Sequence, residues 1–175
     1  MKIRKSFEQA VCVLIMIALQ KGQRPVKSSV ISQKLGVSDS YLKKVMGKMR
    51  QKGLVLSDAS KDGGFSLARP LEKISMLDVY LIIEGEDQLL SSSHLANKIF
   101  DETFVNELKK DKQLEVEAIL NERVKEAEHN VLSAVLEAEQ AFLTKLSEFP
   151  LSNITQIIQS EQGIVDWERL ADLKK

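Results

Sequence analysis

One cysteine, Cys12, is all the chain contains. An intrachain disulfide is therefore excluded, and a reducing compartment is the natural expectation. Aromatic residues make up 5% of the 175 positions, so a core has to be built from Leu, Ile, Val, Met and Ala. Only three prolines interrupt the chain, a composition that suits a helix-rich globular protein. No apolar run approaches the ~18 residues of a membrane span. The longest, Val11 to Leu19, lacks the flanking small-residue cleavage signature of a signal peptide. A cytoplasmic location with no membrane partner is expected. Enzymatic constellations are missing too. The chain has no phosphate-cradling glycine loop, no His/Cys metal cluster and no Ser–His–Asp or Cys–His grouping, so neither catalytic residues nor a resident cofactor or metal is expected.

The net charge is also zero, but only as an average. Residues 1–80 carry 15 Lys+Arg against 6 Asp+Glu, a net +9, and the remaining 95 carry 10 against 19, a net −9. Such asymmetry points to a nucleic-acid face on the first half and a solvated, self-repelling second half.

Ser6 to Lys21 reads as a first helix that is apolar nearly all round, with Ser6 as its cap and Cys12 as a small core residue. Ser28 to Leu35 reads as a second helix. Gly36 supplies the positive φ of a tight helix-to-helix turn, and Ser38 caps a third helix that runs to about Lys52. Leu54–Leu56 and Phe65–Leu67 are two short strands joined by a glycine-ended hairpin. Ser75 to Glu84 is a fourth helix. The succession of turn, basic helix and hairpin predicts a winged helix-turn-helix.

On the third helix, Leu42, Val45, Met46 and Met49 share the core face. Ser40, Lys44, Gly47 and Gln51 lie opposite, flanked by Lys43 and Lys48. Lysine can bond guanine acceptors, glutamine can pair with adenine, and both reach phosphate, so this face suits a major groove. Gly47 in mid-helix costs about 1 kcal/mol against alanine, and its outward place suggests close approach to a groove wall. Lys61, Gly63 and Gly64 at the hairpin tip, and Ser28 and Ser38 at helix starts, complete the expected DNA contacts.

Beyond a loop and a short helix (86–113), one helix without Gly or Pro extends from about Glu115 to Glu148, ~50 Å at 1.5 Å per residue. Leu120, Val124, Ala127, Val131, Ala134, Ala138 and Ala141 step along it by three and four, a coiled-coil seam for a second copy. A bulkier stripe runs through Leu132, Val135, Leu136, Phe142, Leu143 and Leu146. Such a helix outlasts any core this chain can wrap around it. Residues 150–175 read as a short helix and a tail anchored by Trp167. The expected organisation is mainly α: a winged domain (1–85), a linker or effector loop (86–113), a long dimerisation helix (114–149) and the terminal segment (150–175).

The start MKIRKSFEQA, the segment GVSDSYLKKVMGKMRQKGLV, the wing end GGFSLARP and the following SMLDVYLIIEG resemble the Rrf-two family of bacterial winged-helix regulators, the IscR/NsrR/CymR type. The resemblance is dense over residues 1–85. It implies a homodimer on a palindromic operator, with contacts at Ser40, Tyr41, Lys43, Lys44 and Lys61. Three departures stand out. Lys43-Lys44 replaces a Glu-Gln pair common in the family, which either changes the operator or leaves these lysines to hold phosphate. Ala59-Ser60 replaces an Arg-Gly pair of the wing. The loop EDQLLSSSHLANKIFDETF holds none of the three cysteines of cluster-binding members, leaving His94 as a lone potential ligand. The combined expectation is a cluster-free, dimeric regulator, a repressor rather than an activator, answering to a metabolite or protein effector. The alternative is a winged-helix module whose basic face docks an acidic protein and no longer binds specific DNA.

Overall fold

The computed structural model describes residues 4–60, 63–85, 114–159 and 165–172. The chain divides into two compact units: Met1–Asp87 with Leu143–Lys175, and Gln88–Phe142. In the first unit, α1 (Lys5–Leu19) is followed by a 3-10 turn, α2 (Ser28–Leu35), α3 (Asp39–Gln51), strands β1 (Val55–Ser57) and β2 (Phe65–Leu67), a second 3-10 turn and α4 (Met76–Glu84). The long helix α5 (Leu114–Ser147) starts in the second unit and ends in the first, where α6 (Ser152–Gln159) and α7 (Trp167–Asp172) follow.

Helix α1 is the axle of the winged unit. Phe7, Ala10, Val13, Leu14, Met16, Ile17 and Leu19 are all buried, which requires neighbours on several sides. Val79, Ile82 and Ile83 of α4, Ile31 of α2 and Leu151 belong to the same core. Burial of one such aliphatic side chain stabilises by about 1.5–3 kcal/mol. Two sequence expectations for α1 fail. Its cap position is Arg4, without a side-chain bond, and not Ser6. Cys12 is exposed and not part of the core, because it falls on the stripe with Glu8 that the surrounding helices leave uncovered. Partial burial, with the nearby Glu8 charge, pushes the thiol's pKa up.

The wing pairs antiparallel in the register Val55↔Leu67, Leu56↔Ser66, Ser57↔Phe65, one residue later on the first strand than the sequence suggested. Leu54 is fully buried just before it and accepts the Ala68 amide at 2.9 Å. Val26 adds an isolated antiparallel bridge to β2: its N–H donates to the Phe65 carbonyl at 2.8 Å and its carbonyl accepts the Phe65 N–H at 2.9 Å. The wing base is thereby stitched to the segment that leads into α2.

Ser75 caps α4 through a reciprocal box with Asp78. The end of α5 returns to this point. The Met76 N–H donates to the Phe149 carbonyl (2.9 Å) and the Leu151 N–H to the Ile74 carbonyl (2.8 Å). Residues 165–172 do more than hang from Trp167. Val165 bridges to Gln20, and α7 packs on the winged unit with Ala171 buried. Among the described residues no helix is long and apolar enough to cross a membrane.

Candidate nucleic-acid interface

The helix-to-helix turn is set by Gly36, whose φ of 62° is the left-handed conformation that favours glycine. Ser38 then accepts the Tyr41 N–H at 3.3 Å and starts α3 as a side-chain cap. Asp39 in the first turn, and Lys48 and Arg50 in the last, complement the helix dipole. Four apolar residues fasten the inner face: Leu42, Val45, Met46 and Met49 are 1%, 6%, 1% and 0% exposed.

The outer face is what the sequence spacing predicted. Ser38, Ser40, Lys43, Lys44, Lys48 and Gln51 are all exposed on one unit. Lys48 makes one long contact, 3.5 Å to the Ile82 carbonyl. Among the described residues no ion pair engages Lys43, Lys44 or Arg50. Arg50, exposed and seven residues beyond Lys43 on the same flank, extends the basic surface. It was missed, although the two-turn spacing was available in the sequence. A Cβ placed on Gly47 would meet nothing within 4 Å. The fold of this chain therefore gives no steric reason for glycine there.

Other expected contacts have structural duties. Tyr41 is half-buried against the core and its hydroxyl donates to Gln9 Oε1 at 2.8 Å, so it ties the start of α3 to α1. Ser28 is half-buried in the first turn of α2, where Lys27 holds the cap position and no side-chain bond is made. In the hairpin, Asp58 accepts both the Ser60 N–H (2.9 Å) and hydroxyl (3.0 Å). These bonds hold its carboxyl below the usual range, the amide contributing most. Gly63 is buried, and a side chain there would overlap the Asp58 carbonyl; at Gly64 a Cβ would lie 2.5 Å from the Val26 carbonyl oxygen. Both glycines are thus required by close backbone approach, Gly63 within the hairpin and Gly64 against the segment that leads into α2. Lys61 lies outside the described residues.

On α5, Ala127, Val131, Ala134, Ala138 and Ala141 are exposed and Val124 is half-buried; the Leu120 side chain lies outside the described set. Leu132, Val135, Phe142, Leu143 and Leu146 are half-buried, and Leu136 is 38% exposed. His129 is exposed on the same helix. His94 and the neighbouring acids Asp87, Asp101 and Glu102 lie outside the described residues.

Comparison with known proteins agrees with this geometry. Bacillus subtilis (strain 168) YwgB, named as a candidate HTH-type transcriptional regulator, is 40% identical over 101 residues, or 58% of this chain. The match spans 65% of that relative's length, just under two thirds. A candidate HTH-type regulator of Haemophilus influenzae is 31% identical over 125 residues, covering 70% of this chain and 82% of its own. Among solved structures, the IscR of T. potens superposes with a TM-score of 0.55 at 18% identity, over 93% of this chain and 91% of that one, a likeness of fold. The sequence profile of the Rrf2 family, described as iron-dependent transcriptional regulators, matches residues 3–157. With a winged helix-turn-helix in place and that profile matched over most of its length, the chain belongs to the Rrf2 family of DNA-binding transcriptional regulators.

Proposed function

We propose that the chain is a homodimeric, sequence-specific DNA-binding repressor in which each subunit lays α3 in a major groove of a palindromic operator. The division of α3 carries the reading. Its apolar stripe is fully covered, while Ser40, Lys43, Lys44, Lys48 and Gln51 form an exposed cationic and amide face beside a two-stranded wing. Lys44 and Gln51 are the base-reading candidates; Lys43, Lys48 and Arg50 flank them and suit phosphate. The open space around Gly47 supports close approach of the duplex at mid-helix.

The α5 seam supports the dimer. Its small residues are exposed within one chain, and Val131 is 64% exposed, so a second copy can bring its own α5 close. Two recognition helices related by a two-fold axis read half-sites about 34 Å apart.

The family description invokes iron, and these residues do not fit a thiolate-held cluster. Such clusters take several cysteines, whereas the chain has Cys12 alone, exposed on α1. Among the described residues no group of three His, Cys, Asp or Glu side chains could hold a metal ion. A metabolite or protein effector, altering the spacing of the two recognition helices, is the reading we adopt. A cavity of about 400 Å³ in the winged unit, lined by Ile17, Ser66, Arg69, Leu71 and Thr155 among others, has the size small-molecule sites use.

Selection of binding sites from a random duplex library at moderate salt tests the proposal. An enriched palindrome is expected. Weak, salt-sensitive binding to every sequence would overturn specific recognition by the unliganded protein and favour a basic face that serves an acidic protein.

A further inference from the structure

The winged unit carries a second basic edge away from α3. Arg24 lies in the loop before α2, Lys27 occupies its cap position, and Lys34 sits in its last turn. Lys27 and Lys34 are seven residues apart and so share a face. Each of the three cations meets an oxygen of the C-terminal segment. Arg24 Nη2 lies 3.1 Å from Asp166 Oδ2, Lys27 Nζ lies 3.6 Å from Glu168 Oε1, and Lys34 Nζ donates to the Leu170 carbonyl at 3.3 Å. The family profile ends at residue 157, so the segment that supplies these oxygens lies beyond it.

The segment is held mainly by other contacts. The Lys21 N–H donates to the Val165 carbonyl (2.9 Å) and the Val165 N–H to the Leu19 carbonyl (2.8 Å). The Trp167 indole N–H donates to the Met16 carbonyl at 2.8 Å, and Ala171 is buried. Both ion pairs are open to solvent: Arg24 and Asp166 side chains are 59% and 30% exposed, Lys27 and Glu168 42% and 39%. Pairs in such surroundings add little to docking. Their larger effect is on the field, since they neutralise the basic edge. The Arg169 N–H, with the Arg24 guanidinium and Lys21 charge, holds the Asp166 carboxyl below the usual range, so it is charged at neutral pH.

The position of the edge explains what it would otherwise bind. Lys27 follows Val26, which pairs with Phe65 of the wing, and opens α2, which leads through Gly36 into α3. It therefore joins the wing base to the helix that crosses the DNA backbone in helix-turn-helix proteins. We infer that Arg24, Lys27 and Lys34 form a second phosphate-binding edge for duplex DNA, and that residues 165–172 cover it, their carboxylates standing where backbone phosphates would sit. The inference rests on the DNA-binding reading of α3. The cover lowers affinity for DNA of any sequence, because phosphate contacts carry no base information. Operator binding then depends more on α3.

Full-length Asp166→Asn/Glu168→Gln removes both charges, and asparagine at 166 still serves as a helix cap. This variant is expected to bind random-sequence duplex several-fold to about tenfold tighter at low salt. Its log-affinity against log-salt slope should steepen by about two, near 0.9 for each phosphate gained. Adding Lys27→Ala should take back about half of the gain. Trp167→Ala undocks the segment with no change of charge and should also tighten binding. Unchanged affinity and slope in the double variant would overturn the inference, as would weaker binding by Trp167→Ala, the result for a segment that only clamps α2. Lys44→Ala with Gln51→Ala in the same assay separates the two readings. If Lys44→Ala and Gln51→Ala together leave operator affinity and salt slope intact, the α3 assignment falls, while steeper salt dependence in the Asp166→Asn/Glu168→Gln variant still upholds the covered edge.

Discussion

Helices α3 and α5 are both amphipathic, yet they end in opposite situations. On α3 the apolar stripe is closed off inside the chain, with Leu42, Val45, Met46 and Met49 at most 6% exposed. On α5 the corresponding stripe stays open, with Val131 at 64% and its alanines exposed. A helix whose inner face is satisfied is rigidly held, and its outer face is free to carry charge for a ligand. A helix of 34 residues whose small-residue face is open offers the surface that a second copy would complete in the proposed dimer. In the proposed dimer, the same periodicity serves placement in one helix and association in the other.

The sharpest way to break this contrast is Ala134→Glu. In the proposed dimer it buries two uncompensated charges at the seam, each costing on the order of 3–5 kcal/mol. Light scattering should report a monomer, and operator affinity should collapse with it. A dimer of unchanged mass would show that a different face of α5 associates. The counterpart on α3 is Leu42→Ala, which should leave oligomeric mass alone and lower unfolding stability by about 2–5 kcal/mol, read by urea denaturation. A loss well below that range would mean that the α3 stripe is less completely anchored than its burial suggests.

The outer face of α3 gives smaller effects. Lys44→Ala should weaken operator binding by about 1–3 kcal/mol if the amine reads a base. If it touches phosphate only, every sequence should weaken alike and the salt slope should fall by about one. No change in either would remove Lys44 from the interface. Gly47→Ala separates fold from function. With nothing within 4 Å of the new methyl, helix propensity alone should raise stability by about 1 kcal/mol, while close approach to the duplex is lost. A variant that gains stability and keeps full affinity would leave the glycine without a role in binding.

How much of this was legible in the sequence follows the range of the interactions. The inner and outer faces of α3 depend on neighbours three and four residues away, and every apolar and basic position on them was readable. The cap at Ser38, the Gly36 turn and the length of α5 are equally local. Contacts between distant segments were not readable. Val26 pairs with Phe65, Val165 with Gln20 and Ser75 with Pro150, and each is a single rung with no periodic pattern to announce it. Tyr41 fell on a DNA-facing turn by motif, but its hydroxyl goes to Gln9 on another helix. Cys12 shows the opposite failure. A helix that is apolar all round hides which stripe its neighbours leave open, and the thiol lies on that stripe.

The start of α4, against which residues 149–151 beyond α5 are bonded, offers an effect of similar size and a defined pH dependence. Where the end of α5 meets α4, Asp78 Oδ2 accepts the Ser75 N–H at 2.8 Å and hydroxyl at 2.9 Å, while Oδ1 pairs with Arg69 at 2.9 Å. Partial burial pushes the Asp78 carboxyl up, but the two Ser75 bonds and the Arg69 guanidinium outweigh it and hold the group below its ordinary 3.8. The folded state therefore prefers the carboxylate. The stability this supplies is complete above the ordinary value and is lost as pH falls through the depressed one. Ser75→Ala removes the hydroxyl's share and should cost about 0.5–2 kcal/mol at neutral pH. For Asp78→Asn, the deficit in urea denaturation should be largest at pH 7 and should shrink steadily in acid as the parent carboxyl protonates. A deficit that stays constant with pH would mean that Asp78 acts through its shape and hydrogen bonds, and that the charge shared with Arg69 contributes nothing to the start of α4.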